Sequence, residues 1–246
     1  RSMGLACAAL GARIAIVGRR EEPLNATAED IRKAGGTAAW ARCDVRDANS
    51  VRAAFDTIEA ELGPVNALIN NAAGNFLAAS EDLSDNAFDA VVRIVLYGTF
   101  NATRELGRRL IERRAPGHVL SIVTTYAVSG SAFVLPSAAA KAGVLAMMRS
   151  LAVEWAGFGI RVNAVAPGVI KTTGTEQYPP ELLEGAAKAA PLRRLGSATE
   201  VAHLIVYLAS KQADFITGQS FYIDGGQSLY GDIWSVPDDV PRFPPD

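Results

Sequence analysis

The chain has 246 residues, of which 49% are hydrophobic and 20% are charged, a composition typical of a packed globular domain and too apolar for a disordered chain. Its 24 Lys and Arg residues nearly balance 26 Asp and Glu residues, so we expect no nucleic-acid partner, which would call for a basic surface. No apolar run approaches the roughly 20 residues of a membrane span, and we expect no membrane partner. Two cysteines and two histidines indicate neither a disulfide framework nor a metal site.

The first eleven residues, Arg1 to Gly11, predict a helix that ends at a glycine. No initiator methionine, signal-peptide pattern or strand precedes this helix. We therefore expect a cytoplasmic protein. We also expect that the sequence begins partway through a folded domain.

Strands and helices then alternate along the chain. Apolar runs predict strands over Arg13–Gly18, Ala38–Cys43, Ala67–Asn71, His118–Thr125, Arg161–Ala166 and Ser220–Asp224. Helical patterns lie between them, over Glu22–Ala34, Ser50–Leu62, Ala87–Arg114, Pro136–Trp155 and Ala198–Ala209, with Asp47 and Ser84 as N-caps and a capping box from Ser197 to Glu200.

Most of these strands are continuous apolar runs, which is typical of a parallel sheet covered by helices on both faces. We find no linker and no internal repeat, so the sequence predicts a single α/β domain over residues 1–246. The Pro- and Asp-rich stretch 229–246 predicts an irregular C-terminal tail.

Four short motifs follow predicted strands, where ligands bind in open α/β sheets. They are Cys43-Asp44-Val45, Asn70-Asn71-Ala72-Ala73-Gly74, Pro167-Gly168-Val169-Ile170-Lys171-Thr172 and Asp224-Gly225-Gly226. In this order they resemble the short-chain dehydrogenase/reductase family over nearly the whole chain. The resemblance implies a Rossmann-like, doubly wound parallel sheet and a nicotinamide cofactor. The cofactor contacts that it implies are Arg19, Asp44, Val45, Asn71, Ala72, Lys141, Pro167, Gly168, Ile170 and Thr172.

The family also has a first strand and a T-G-x-x-x-G-x-G turn before its first helix, and this sequence starts inside that helix. One explanation, which we favour, is that an N-terminal segment is missing from the sequence. The other is a protein without the loop, which would lack the backbone N–H groups that cradle a pyrophosphate.

The residues after the strand Arg13–Gly18 bear on the choice of cofactor. NAD-specific relatives place an acid there for the ribose 2′-hydroxyl, whereas this chain has Arg19 and Arg20 and no acid until Glu21. A guanidinium suits a 2′-phosphate, so we expect NADPH rather than NADH. The alternative is that the two arginines are simply solvated on a loop.

Most reductases of the family carry Ser-x12-Tyr-x3-Lys. Aligned on Lys141, this chain has Thr124 at the serine position and Ser137 at the tyrosine position. An alkyl hydroxyl is a far weaker acid than a phenol, whose pKa is near 10. The usual machinery for carbonyl reduction is therefore absent from its usual position.

A tyrosine does occur nearby, in the pattern Tyr126-x10-Ser137-x3-Lys141. This pattern, together with the run from Asn70 to Leu77, resembles the 2,4-dienoyl-CoA reductases of the family. The resemblance implies that Asn75 and Tyr126 donate hydrogen bonds to the thioester oxygen, that Lys141 binds the nicotinamide ribose and that Ser137 orients the group. Singly, each residue also has a structural explanation, as a turn, loop or helix-end residue.

The same resemblance implies substrate contacts at Arg46, Phe76 and Ser84, although Ser84 is equally explained as an N-cap. An arginine expected to contact the substrate is absent, and Gln177-Tyr178-Pro179-Pro180 stands in that region instead. Relatives assemble as homotetramers through their long helices, and we expect the same here.

The expected function is NADPH-dependent reduction of a 2,4-dienoyl-CoA, the acyl-CoA partner, to a 3-enoyl-CoA in unsaturated fatty acid degradation. Two alternatives stay open. One is another short-chain reductase that acts on an enoyl- or 3-oxoacyl-thioester. The other is a catalytically silent nucleotide-binding relative.

Overall fold

The computed structural model describes residues 1–175 and 178–229, so the predicted tail, apart from Leu229, lies outside the described residues. The strands are Arg13–Gly18 (β1), Thr37–Arg42 (β2), Ala67–Asn70 (β3), Gly117–Ile122 (β4), Ile160–Pro167 (β5), Ile170–Lys171 (β6), Gly196–Ser197 (β7) and Ser220–Ile223 (β8). The α-helices are Ser2–Ala8 (α1), Glu21–Lys33 (α2), Ala48–Leu62 (α3), Asp85–Val92 (α4), Gly98–Arg113 (α5), Tyr126–Ser129 (α6), Leu135–Trp155 (α7), Pro180–Ala189 (α8) and Ala198–Ala209 (α9).

All the described strand pairs are parallel. β3, β4, β5 and β8 form one sheet in that order, and β1 pairs with β2 in a separate two-stranded sheet. The short strands β6 and β7 pair with each other beyond the end of β5. Every described strand but these two was predicted from its apolar run, and the parallel α/β architecture is confirmed.

The central strand β4 buries side chains on both of its faces. Val119 belongs to the apolar cluster that contains Leu106 of α5 and Met148 of α7. The next residue, Leu120, belongs to the cluster that contains Ile205 of α9. Because successive side chains of a strand point to opposite faces, helices cover the sheet on both sides, which explains the continuous apolar run.

Three helix starts follow their local signals. The carboxylate of Asp47 accepts a hydrogen bond from the Asn49 amide, and the hydroxyl of Ser84 accepts one from the Ala87 amide. Ser197 and Glu200 form the predicted capping box of α9. These caps satisfy N–H groups that a helix cannot pair internally.

The predicted long helix over Ala87–Arg114 is confirmed as a helical stretch, but it is not α-helical throughout. It begins at Asp85, widens into a π-helical turn over Arg93–Tyr97 and continues as α5. Just after this turn, Gly98 lies against Val45, so that a Cβ at Gly98 would stand 2.6 Å from a Val45 methyl group. A helical hydrophobic pattern does not reveal such a turn, because the contact that accompanies it is made with a distant segment.

Candidate active site

Tyr126, Ser137 and Lys141 come together at the carboxyl end of β4. Tyr126 begins α6, while Ser137 and Lys141 lie one turn apart near the start of α7. The phenol oxygen of Tyr126 is 3.3 Å from the Oγ of Ser137. Ser137 is 3% exposed, so this hydroxyl pair lies at the edge of the protein interior.

The ammonium group of Lys141 is held by the end of the same strand. Its Nζ donates a hydrogen bond to the carbonyl oxygen of Ile122 at 2.5 Å, and the residue is 4% exposed. Burial lowers the pKa of Lys141 to about 8, because the charged form loses its hydration. At neutral pH the group is therefore still mainly a cation.

Thr124, which takes the place of the family's serine, presents an unsatisfied polar atom. Its Oγ1 is buried and has no hydrogen-bond partner within residues 1–175 and 178–229. Buried hydroxyls are nearly always paired in folded proteins. Thr124 Oγ1, two residues before Tyr126, therefore keeps an unused capacity to form a hydrogen bond.

Asn75 lies on the loop after β3 and is exposed. In the part of the chain that the structure describes, no hydrogen bond joins it to Tyr126, Ser137 or Lys141, the residues with which it is expected to form a catalytic tetrad. The loop is tied to the segment before α7, because the Ala78 amide donates to the Phe133 carbonyl at 3.0 Å. Phe76, on the same loop, is 37% exposed, so both side chains remain available to a ligand.

A second group of predicted residues follows β2. The guanidinium of Arg46 binds both carboxylate oxygens of Asp44, with its shortest contact at 2.6 Å, and this lowers the pKa of Asp44 to about 2. The side-chain amide of Asn101 donates to the carbonyl of Val45 at 2.9 Å. Arg46, expected at the substrate, is thus engaged with its own neighbour, a pairing that no sequence signal revealed.

A cavity of about 410 Å³ opens between the ends of β1 and β2. Its lining residues are Arg19, Arg42, Cys43, Asp44, Asp47 and Ser50. Arg42 was not singled out from the sequence. It belongs to β2 and pairs in register with Gly18, so its position next to Arg19 depends on strand pairing.

The motifs after β5 and β8 meet each other. The Gly168 amide donates to the Ile223 carbonyl, and a Cβ at Gly168 would lie 2.9 Å from the Cα of Asp224. The amide of Thr172 donates to Thr175 Oγ1, and the amide of Thr175 donates to Thr172 Oγ1, which closes a tight turn. Beside this segment lies a cavity of about 490 Å³, which includes Gly168 and Ile170 but none of the tetrad.

Other predicted residues lie at the carboxyl ends of the strands, the edge of the sheet where a ligand is expected to bind. Pro167 ends β5, and the exposed Asn71 and Ala72 follow β3. Ser84 is the N-cap of α4, and its proposed substrate contact stays a prediction. Gln177 lies outside the described residues.

The described residues form neither a metal cluster nor a membrane-spanning helix. Among residues 1–175 and 178–229, no group of three or more His, Cys, Asp or Glu side chains is placed to hold a metal ion. Within the same residues, no helix has the length and apolar character needed to cross a bilayer.

Comparison with known proteins agrees with this geometry. The family model described as enoyl-(acyl carrier protein) reductase matches residues 1–228. A Caenorhabditis elegans protein named "probable 2,4-dienoyl-CoA reductase 3 [(3E)-enoyl-CoA-producing]" is 43% identical over 90% of this chain and 74% of its own length. A Bacillus subtilis protein named "probable 2,4-dienoyl-CoA reductase [(2E)-enoyl-CoA-producing]" is 40% identical over 93% of this chain and 92% of its own.

A solved structure shares the fold as well. The gluconate 5-dehydrogenase from Burkholderia cenocepacia J2315, in complex with NADP and tartrate, superimposes with a TM-score of 0.87 at 29% identity, covering 94% of this chain and 91% of that one. The chain belongs to the short-chain dehydrogenase/reductase family. It is an oxidoreductase of that family.

Proposed function

We propose that the protein reduces 2,4-dienoyl-CoA thioesters to 3-enoyl-CoA with NADPH, as a step in the degradation of unsaturated fatty acids. The observation that carries the proposal is the pairing of the Tyr126 hydroxyl with Ser137 at 3.3 Å, on the same helix as the buried Lys141 and one turn before it. Two relatives that are 40% and 43% identical carry the name 2,4-dienoyl-CoA reductase.

The donor set of the site fits a nicotinamide cofactor. Lys141 supplies a buried ammonium for ribose hydroxyls, and Thr124 Oγ1 supplies a buried hydroxyl that lacks a partner among the described residues. Gly168 and Ile170 lie in the segment that follows β5. Arg19 lines the cavity at the end of β1. When bound, the cofactor supplies a hydride to the δ-carbon of the dienoyl group.

The protein's own side chains then stabilise the negative charge that spreads onto the thioester oxygen. Tyr126 donates its O–H to that oxygen, and Asn75 donates its side-chain N–H from the loop after β3. Two neutral donors arranged in this way form an oxyanion hole, which often makes the greatest single contribution to catalysis. Ser137 orients the Tyr126 hydroxyl through their 3.3 Å contact.

A proton must then reach carbon. Protonation of the dienolate at the α-carbon, which we assign to water, leaves a 3-enoyl thioester, whereas protonation at the γ-carbon leaves a 2-enoyl thioester. The names of the two relatives differ on this point, because one gives a (3E) and the other a (2E) product. Separating the product isomers by chromatography decides between them.

Ketone reduction is less well supported by this site. It requires an acid to protonate the carbonyl oxygen as it becomes an alcohol, and the position next to Lys141 holds the weakly acidic hydroxyl of Ser137. A dienoyl thioester needs only stabilisation of an enolate oxygen, which the phenol of Tyr126 can provide.

The test compares two thioesters with purified protein. We expect oxidation of NADPH with 2,4-hexadienoyl-CoA and little with acetoacetyl-CoA, in each case monitored by NADPH absorbance. Faster turnover of acetoacetyl-CoA would contradict the proposal. NADPH binding without turnover of any dienoyl, enoyl or oxoacyl thioester would identify a catalytically silent relative.

A further inference from the structure

The cavity between β1 and β2 carries two arginines, and among residues 1–175 and 178–229 neither has an ion pair shorter than 3.9 Å. Arg19 follows β1, and Arg42 ends β2 directly beside Gly18. The guanidinium of Arg42 lies 3.9 Å from Glu21, and these two side chains are 73% and 61% exposed. Such a long, solvated ion pair contributes little, so Arg42 can turn to a ligand at small cost.

The two acids that line the same cavity, Asp44 and Asp47, already have hydrogen-bond partners. Arg46 binds both oxygens of Asp44, and the carboxylate of Asp47 caps the N-terminus of α3 by accepting the Asn49 amide at 2.9 Å. Ser50 Oγ is engaged as acceptor of the Asp44 amide at 3.0 Å. Arg19 and Arg42 in the lining, with Arg46 bound to Asp44, are three cations against the two acids, which gives the cavity a positive balance.

We propose that Arg42, together with Arg19, binds the 2′-phosphate of NADPH and is a determinant of the preference for NADPH over NADH. A phosphomonoester carries nearly two negative charges and three acceptor oxygens at neutral pH, and planar guanidinium groups match that geometry. The ribose of NADH has only a hydroxyl at this point and gains little from either arginine. The proposal rests on the cofactor named in the proposed function.

The sharpest test uses fragments that occupy only this end of the cofactor site. Adenosine 2′,5′-bisphosphate carries the 2′-phosphate and 5′-AMP does not, and neither requires the nicotinamide end or a thioester. Calorimetry should give tighter binding of the bisphosphate by the wild-type protein. Arg42→Gln should weaken bisphosphate binding about tenfold, since hydrogen bonds to charged groups are worth about one such factor, and should leave 5′-AMP binding unchanged.

Arg52→Gln serves as the matched control, because Arg52 is an exposed residue of α3 outside the cavity lining. It removes the same charge from the protein without removing a lining group. Arg42→Lys keeps the charge but not the planar fork, and we expect it to restore part of the affinity. Equal losses of bisphosphate affinity in Arg42→Gln and Arg52→Gln would overturn the proposal, because the net charge of the protein would then explain both.

Two other outcomes separate this proposal from the proposed function. Unchanged bisphosphate binding in Arg42→Gln, with a loss in Arg19→Gln, overturns the role of Arg42 and leaves NADPH-dependent reduction intact. Selective loss of bisphosphate binding in Arg42→Gln supports the role of Arg42, even in a protein that fails to reduce 2,4-hexadienoyl-CoA.

Discussion

The hydroxyl groups of Tyr126 and Ser137 lie 3.3 Å apart although ten residues stand between them in the sequence. Tyr126 is the first residue of α6, and Ser137 is in the first turn of α7. The turn between these helices therefore returns the phenol to the serine that stands four residues before Lys141. A tyrosine outside its usual sequence position thus reaches the side chains with which it is expected to act.

Removal of the phenol hydroxyl tests the oxyanion hole. Tyr126→Phe keeps the ring and loses one donor that acts mainly in the transition state, so we expect turnover to fall about 10²–10³-fold. The KM for the dienoyl-CoA should change little, because the ground state gains little from this bond. Steady-state kinetics provide the measurement. Turnover within about threefold of wild type would remove Tyr126 from the mechanism.

The charge of Lys141 predicts a pH dependence of cofactor binding. Burial lowers the pKa of Lys141 to about 8, so the ammonium is lost as the pH rises through that value. We expect the apparent affinity for NADPH to fall over this alkaline range and to be flat below it. In Lys141→Arg the cation persists at these pH values, and the alkaline limb should disappear. If the affinity of Lys141→Arg for NADPH fell with the same midpoint pH as in the wild type, the titrating group would not be Lys141.

His118 predicts a loss of stability in acid. It lies in β4, its Nε2 is buried without a partner in the described structure, and burial, with the nearby charge of Arg161, lowers its pKa from 6.5 to about 4. The unfolded chain therefore binds a proton that the folded chain excludes. Stability should decrease as the pH falls from about 6.5 toward 4, by up to about 3 kcal/mol.

Denaturant unfolding at several pH values measures this effect. His118→Leu removes the titrating group, so its stability should vary less over the same range. His203→Gln is the matched control, since His203 is exposed on α9 and the variant should follow the wild type. If His118→Leu and the wild type lost the same stability between about pH 6.5 and 4, His118 would be excluded as the cause of the acid destabilisation.

Exposed apolar side chains on the long helices predict association into a tetramer. Val153 of α7 is 83% exposed, Tyr97 is 56% exposed and Phe100 of α5 is 42% exposed. Soluble proteins bury such surface in symmetric assemblies. Sedimentation at micromolar concentration should show a tetramer, and Val153→Glu should dissociate it. Leu10→Gln changes an exposed leucine outside these helices and should not; a monomeric wild type would contradict the prediction.

Local signals in the sequence were sufficient wherever a few neighbouring residues decide the outcome. Asp47, Ser84 and Ser197 cap helices as their types predict, because the bonds that they form span two or three residues. The apolar run of β4 predicted a strand buried on both faces, and Val119 and Leu120 show why, since each enters a different core cluster. The motifs at strand ends identified the family for the same reason, as each is continuous in sequence.

Tertiary structure decided how the polar groups are paired. Arg46 could have faced a ligand, yet Asp44 holds it, and Arg42 lies beside Arg19 only because β1 and β2 pair in a particular register. The partner of Lys141 is a backbone carbonyl nineteen residues away, and the π-helical turn lies where the helix meets Val45. A charged side chain has several possible partners at similar free energy. The sequence therefore determines which groups are present, whereas the packed fold determines which of them meet.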